Sequence, residues 1–208
     1  MKKGFKKWLT GLSVPQEYVC IAFDESDPPF DLHVTSRDRE FKVDDYVLLG
    51  YSPVLIAIVQ NPNESPWQDD VSLLFKDKSN QRTVAELRLK KDIERQEGDS
   101  RVCFFRATAG RHQLISSFNQ KINSWWMRLK HTPNGFIQLQ GNLYEQVRIA
   151  YAIPRKISLI SLGNRNAMNM FPTDLHGSLG AHHYTSSLRI GGKACQQVEQ
   201  QGRLLICD

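Results

Sequence analysis

Residues 186–200, SSLRIGGKACQQVEQ, concentrate groups that could hold an anion. Ser186 and Ser187 offer hydroxyl donors, Arg189 a planar fork able to grip a phosphate through two hydrogen bonds, and Lys193 a point charge. Gly191 and Gly192 permit close backbone approach, and a helix predicted to begin near Lys193 would present unpaired N–H groups. The pattern is neither GxxxxGK[ST] nor GxGxxG. A glycine turn between strand and helix, flanked by two solvated cations, uses the same residues, so both readings stand at this point.

Upstream, residues 164–177 read NRNAMNMFPTDLHG. This stretch is crowded with amides and methionines and has neither a strand nor a helix pattern. Pro172 interrupts ladder bonding and marks an edge or bulge. An edge segment with Met and Phe in the core and asparagines in turns would account for it. His176, His182 and His183 with Asp174 do not make a metal site: H-x5-H-H matches no ligand spacing, and adjacent histidines in a strand point to opposite faces. Asp69-Asp70 reads as a turn. Trp125-Trp126 beside Arg128 and Lys130 could stack on bases, but at helical spacing tryptophans read as core or interface. No nucleophile–base triad is present, and no side chain is assigned a catalytic role.

The elements that must position these residues fall into two grammars. At 208 residues, 40% apolar and 24% charged, the chain can bury a sizeable core. Its net charge of +5 is spread out, apart from MKKGFKK at the amino terminus, which reads as a solvated end. Nucleic acid is therefore not the expected partner. No apolar h-region follows that cluster, and no run of 18 apolar residues occurs, so neither signal peptide nor membrane span is expected. Cys20, Cys103, Cys195 and Cys207 form no CxxC pair; three lie in apolar runs and are expected buried, reduced and cytoplasmic.

Strand-like runs occupy 17–23, 31–36, 45–60, 71–76, 83–89 and 101–107, separated by Pro-, Asn- and Asp-rich turns, and predict an antiparallel β-domain. Gly110 and Arg111 open a predicted helix whose Leu114, Ile115, Phe118, Ile122, Trp125, Trp126 and Leu129 form one apolar face, equally suited to an oligomer surface. HTPNG (131–135) ends it and GFIQLQG (135–141) reads as a short strand. Strands are then expected at 156–162, 182–190 and 203–207. The segment 167–175 is expected extended but irregular, and a helix is expected over 193–201 with Gly202 as its carboxyl-terminal cap. The boundary is placed between 1–147 and 148–208.

The order ISLISLGNRNAMNMFPTDLHG…YTSSLRIGGKACQQVEQQGRLLICD resembles the opening of the flavin reductase-like, FMN-binding split-barrel family, over about the last 55 residues. Asn166, Ala167 and Met168 match its N-A-M element, with Asn169 where threonine or serine is common. The fold this implies is mainly β with few helices: an amino-terminal antiparallel β-domain with one long helix, then the start of a split β-barrel. The resemblance implies an FMN cofactor, with Asn166, Asn169 and Thr173 bonding the ring heteroatoms and Met168, Met170 and Phe171 lying against the ring. Ser187, Arg189 and Lys193 would hold the phosphate. It further implies NAD(P)H as reductant, hydride transfer carried by the cofactor, and a homodimer. The family's domain is longer than this piece, so the expectation is a fragment ending inside the barrel, or a barrel completed by the amino-terminal domain. Two rivals remain from other classes: a non-catalytic interaction protein with a vestigial flavin segment, and a basic nucleic-acid-binding β-domain.

Overall fold

The computed structural model describes residues 30–61, 63–97, 100–113, 116–129, 141–164, 167–180 and 183–207. The strand expected at 17–23, the stop signal at 131–135 and the strand at 135–141 (Gly141 excepted) lie outside them.

Seven strands form one antiparallel sheet. They are β1 (Phe30–Ser36), β2 (Arg39–Val43), β3 (Tyr46–Tyr51), β4 (Val54–Gln60), β5 (Asp70–Asp77), β6 (Thr83–Glu97) and β7 (Ser100–His112), in the order β2-β1-β5-β6-β7-β4-β3. The 45–60 run is thus a hairpin, and β2 is an additional strand that the sequence reading did not separate. The β5–β6 turn is held by polar side chains, as its composition requires: Asp77 Oδ1 accepts from the Ser79 N–H at 2.8 Å and Asn80 Oδ1 from the Arg82 N–H at 2.9 Å.

Alternation decides what each strand buries. In β1, Phe30, Leu32, Val34 and Ser36 are buried while Asp31, His33 and Thr35 are half-buried. Val71, Leu73 and Phe75 of β5 and Leu87 and Leu89 of β6 join the same core. Strand β4, VLIAIVQ, is apolar on both faces. Val54, Ile56 and Ile58 enter the main core, while Ala57 enters a second, smaller one with Val47, Leu49, Val102 and Leu179. Leu179 comes from the carboxyl-terminal part of the chain.

Three helices follow among the described residues: α1 (Ser117–Leu129), α2 (Leu143–Ala150) and α3 (Lys193–Gln201). Helix α1 does not open at Gly110. Leu87↔Gly110, Glu86↔Arg111 and Ala85↔His112 are ladder pairs of β6 and β7, and Ser116 supplies the start signal by accepting from the Asn119 N–H through Oγ at 3.3 Å. Of its predicted apolar face, Phe118 is 72% and Trp125 58% exposed, Trp126 is exposed and Ile122 half-buried, while Leu114 and Ile115 lie outside the described residues. Helix α2 packs on β7, and Val147, Ile149, Ala150 and Ile153 continue the main core. The position expected as a boundary, 147/148, falls inside this helix.

The remaining strands make a three-stranded sheet, β12-β8-β9, from β8 (Ser158–Asn164), β9 (Ala167–Thr173) and β12 (Leu205–Cys207), and a hairpin of β10 (His176–Leu179) with β11 (His183–Ser186). The strand expected over 182–190 is therefore shorter, and it pairs with 176–179, which was not foreseen. The hairpin packs on β3: an added Cβ at Gly177 would lie 2.9 Å from Val47 Cγ2. Asp45 Oδ2 accepts from the Gly180 N–H at 2.5 Å, at a left-handed residue (φ +66°).

A clamp ties the two parts together. The Tyr51 and Tyr151 rings stack with centroids 5.0 Å apart, and the Arg155 guanidinium lies 5.6 and 5.3 Å from their centroids. Arg155 donates from Nε to Asp174 Oδ2 at 3.0 Å and from Nη1 to the Ala150 and Ile153 carbonyls at 3.0 and 2.7 Å. Tyr51 donates its hydroxyl to Asp174. Burial, reinforced by this hydrogen bond, pushes the Tyr51 phenol above its ordinary pKa, so it remains a donor.

Leu179→Ala should destabilise the protein by about 2–5 kcal/mol, because it empties the one β10 side chain filling the second core; the midpoint shift in urea measures it. The thiols are expected to separate by environment. Cys103 is fully buried, and burial, then the Glu94 carboxylate, push it up to about 11. Cys207 is exposed, contrary to its apolar neighbourhood, because its strand has an open face; Cys20 lies outside the described residues. Alkylation at neutral pH, mapped by peptide mass, should label Cys207 rapidly and Cys103 only after unfolding.

Candidate functional site

The carboxyl-terminal sheet has one covered and one open face, fixed by the register Ser158↔Thr173, Ile160↔Phe171, Leu162↔Asn169 and Gly163↔Met168. On the covered face Ser158, Ile160 and Leu162 are buried, and Asn169, Phe171 and Thr173 are half-buried beside them. On the open face Met168 is 66%, Met170 50% and Leu205 61% exposed, together with Leu159 and Pro172. Segment 167–173 is thus a regular edge strand rather than an irregular one. Its ladder with β8 is continuous, and Pro172 is tolerated because β9 is paired on one side only.

This period-two geometry sorts the expected cofactor residues. Met168 and Met170 share the open face; Asn169 and Thr173 point the other way. Asn169 Nδ2 donates to Gln197 Oε1 of α3 at 3.0 Å, which pins the helix to the sheet. Thr173 Oγ1 accepts from the Leu175 N–H at 3.2 Å, and its carbonyl accepts from His176 Nε2 at 3.1 Å. Each side chain thus has a hydrogen bond within the fold, on the face opposite Met168 and Met170. Asn166 lies outside the described residues.

The glycine turn and the helix start expected at Gly191–Lys193 are present. Gly191 is left-handed at φ +72°, the Gly192 N–H donates to the Arg189 carbonyl at 3.0 Å, and Gly192 is the amino-terminal cap of α3. Arg189 and Lys193 are exposed, and neither makes an ion pair with another described residue. Ser187 is not on a strand: its N–H donates to the Leu175 carbonyl at 2.9 Å. Ser186 Oγ is buried without a hydrogen-bond partner. At the other end of the helix Gly202 closes α3 at φ +63°, as the sequence required.

A cavity of about 610 Å³ opens at that second end, lined by Ser161, Leu162, Gly163, Met168, Gln201, Arg203, Leu204 and Leu205. It combines apolar surface, a hydroxyl, an amide and a guanidinium, a mixture suited to a planar ligand with a polar edge. Of the expected residues that are described, only Met168 lines it. Arg203 and Gln201 were missed; their signal was a cation and an amide flanking the helix-ending glycine. The nine residues of α3 set its two ends about 13 Å apart.

The histidines do not converge. His176 is bonded to Thr173 and, through Nδ1, to the Tyr184 hydroxyl at 2.5 Å, while His183 is exposed and His182 lies outside the described residues. Because a carbonyl only accepts, Nε2 carries the proton, and in the neutral ring Nδ1 accepts from Tyr184. Among the described residues no group of three His, Cys, Asp or Glu could hold a metal, and no helix is long and apolar enough to cross a membrane.

No family model matches the chain, and no curated protein matches it. Solved structures with a similar fold include the NADH:FAD oxidoreductase of Streptomyces globisporus, at 11% identity and TM-score 0.38 over 42% of this chain and 72% of that one. The styrene monooxygenase flavin reductase of Pseudomonas putida is similar at 8% identity and TM-score 0.33, over 41% and 79%. The FMN-binding protein of Thermus thermophilus, solved with bound p-hydroxybenzaldehyde, is similar at 14% identity and TM-score 0.34, over 49% and 82%.

Proposed function

We propose that the chain is a flavin-binding protein of the flavin reductase-like kind, taking FMN along α3 and acting as an NAD(P)H-dependent flavin oxidoreductase in the cytoplasm. The observation that carries this reading is the cavity at the Met168 end of the sheet. Its fit to a flavin is good in kind. Met168, Leu204 and Leu205 offer soft apolar surface to a ring face, and Ser161, Gln201 and Arg203 offer hydrogen-bonding groups to a polar edge. Asn169 and Thr173 contribute by fixing α3 and the β9–β10 turn, not by touching the ligand.

Helix α3 orients the ligand. Its amino-terminal end, with Arg189, Lys193 and the first-turn N–H groups, favours negative charge, whereas its carboxyl-terminal end does not. A ring with a phosphorylated side chain long enough to run along the helix satisfies both ends; a free ring satisfies one. When bound, the flavin supplies the hydride-accepting centre, so the chain's residues need only bind, orient and exclude water.

The open apolar face gives a specific reason for a homodimer: Leu159, Met170, Pro172 and Cys207 lie in one exposed patch beside the cavity. The same patch would serve an interaction protein without flavin, which is the second reading.

Purified protein should be yellow and should bind FMN more tightly than riboflavin. Arg189→Ala should weaken FMN by roughly ten- to hundredfold and leave riboflavin nearly unchanged, the worth of a charge-assisted bidentate contact of about 1.5–3 kcal/mol. Equal losses would remove the phosphate from the cradle. Absence of flavin binding by the wild-type chain would leave the interaction reading in its place. Light scattering of wild type and Met170→Glu tests the patch separately: the expected result is a dimer converted to monomer, with unchanged circular dichroism.

A further inference from the structure

Helix α1 is seated with its polar side against the protein, the reverse of a helix that covers a core. At about 100° per residue, Trp125, Phe118, Ile122 and Trp126 fall within an arc of about 100°, and Gln120 lies on the opposite side. Gln120 is the buried one, and its Nε2 donates to the His112 carbonyl at 2.5 Å, at the end of β7. Phe118, Trp125 and Trp126 are exposed, and Ile122, between them in the arc, is half-buried. Three aromatic side chains left in water forgo the stabilisation that an apolar surrounding would give them.

The charge around this arc has one sign. Residues 112–144 contain Lys121, Arg128 and Lys130 and neither Asp nor Glu. Lys121 stands one turn before Trp125 on the same side of the helix. It is exposed and makes no ion pair with another described residue.

These groups discriminate between occupants. A second copy of the helix would bring the same cations against these, and like charges oppose a symmetric contact. Single-stranded nucleic acid would use the indoles and the cations but has no use for Ile122. An anionic lipid surface uses every group: indoles sit at headgroup level, Phe and Ile enter the acyl boundary, and cations meet the lipid phosphates. The contact runs along that surface. Thirteen residues are too few to span a bilayer, and no helix among the described residues is long and apolar enough to cross one.

We propose that α1 docks the protein on an anionic phospholipid surface, with Phe118, Ile122, Trp125 and Trp126 turned into the interface. The Gln120 bond to the end of β7 remains made in the docked state, so docking requires no rearrangement of the sheet. Nothing in this assignment depends on the flavin reading.

Co-sedimentation of the full chain with vesicles tests it, comparing phosphatidylcholine alone with phosphatidylcholine and phosphatidylserine at about two to one. The protein should partition about tenfold or more strongly onto the anionic vesicles, and added salt should weaken that binding. Brominated lipid should quench the tryptophan fluorescence of bound protein. Trp125→Phe keeps an aromatic ring in place, so it should remove part of the quenching and change partition by less than about threefold. Phe118→Glu, at an exposed position, should lower partition by about tenfold or more. Lys121→Glu should lower it by about fivefold or more on anionic vesicles, and it keeps the test open if Phe118→Glu fails to fold. No binding to anionic vesicles, or equal binding to both kinds, overturns the proposal. So does binding that Phe118→Glu and Lys121→Glu leave unchanged, which would assign it to another part of the chain. A dimer dissolved by Phe118→Glu, or oligodeoxythymidylate binding lost in Trp125→Ala, in each case without vesicle binding, overturns it in favour of a self-interface or a nucleic-acid site. FMN affinity of Phe118→Glu and Lys121→Glu should match wild type, so failure here and failure of the flavin reading are separate results.

Discussion

Burial of β3, β4 and β7 on both faces is the constraint from which the arrangement follows. A strand such as VLIAIVQ has no polar side to turn outward, so one sheet face cannot satisfy it. The main core covers Val54, Ile56 and Ile58; something else must cover Ala57, Val47, Leu49 and Val102. Leu179 does so, which places the β10–β11 hairpin and, through it, the rest of the carboxyl-terminal sheet. The close approach at Gly177 and the bond from the Gly180 N–H to Asp45 are consequences of seating that hairpin.

With the hairpin seated, β9 cannot choose its faces freely. Asp174 must reach Tyr51 and Arg155, and His176 must open β10 in register with Ser186. Counting back from Asp174 by twos sends Pro172, Met170 and Met168 to one side, and from Thr173 sends Phe171 and Asn169 to the other. A one-residue slip would put the methionines under α3 and the asparagine in solvent, losing the Asn169–Gln197 bond. The division of labour in the candidate site is therefore set by the docking of a hairpin that contributes no described residue to the cavity.

Much of this was legible along the chain. The β-rich class, most strand positions in the amino-terminal sheet, helix 193–201 and its glycine cap, and Pro172 at an edge all follow from local periodicity and turn chemistry. Local rules failed where tertiary pairing decided. Gly110 to His112 look like a helix start, yet they are the last three residues of β7, held extended because β6 offers a ladder partner of comparable length. Residues 176–179, HGSL, have no strand signal of their own and become one only against β11. The hydrogen bond of Asn169 to Gln197, 28 positions along the chain, is likewise made only by the fold, and Thr173 bonds the Leu175 N–H. The pairing of His112 with Glu145, 33 positions apart, has no signature in sequence at all.

That pairing also explains why α2 is more than a cover for the core. Its apolar positions Val147, Ile149 and Ala150 face the main core, which by itself would leave Glu145 on the adjoining turn free to reach solvent. Glu145 is instead drawn in against the end of β7, and Arg148 one turn later approaches the same carboxylate. At the far end of the helix the Ala150 carbonyl accepts from Arg155, whose Nε holds Asp174. One short helix thus fixes the buried carboxylate at its start and the turn that follows β9 at its finish.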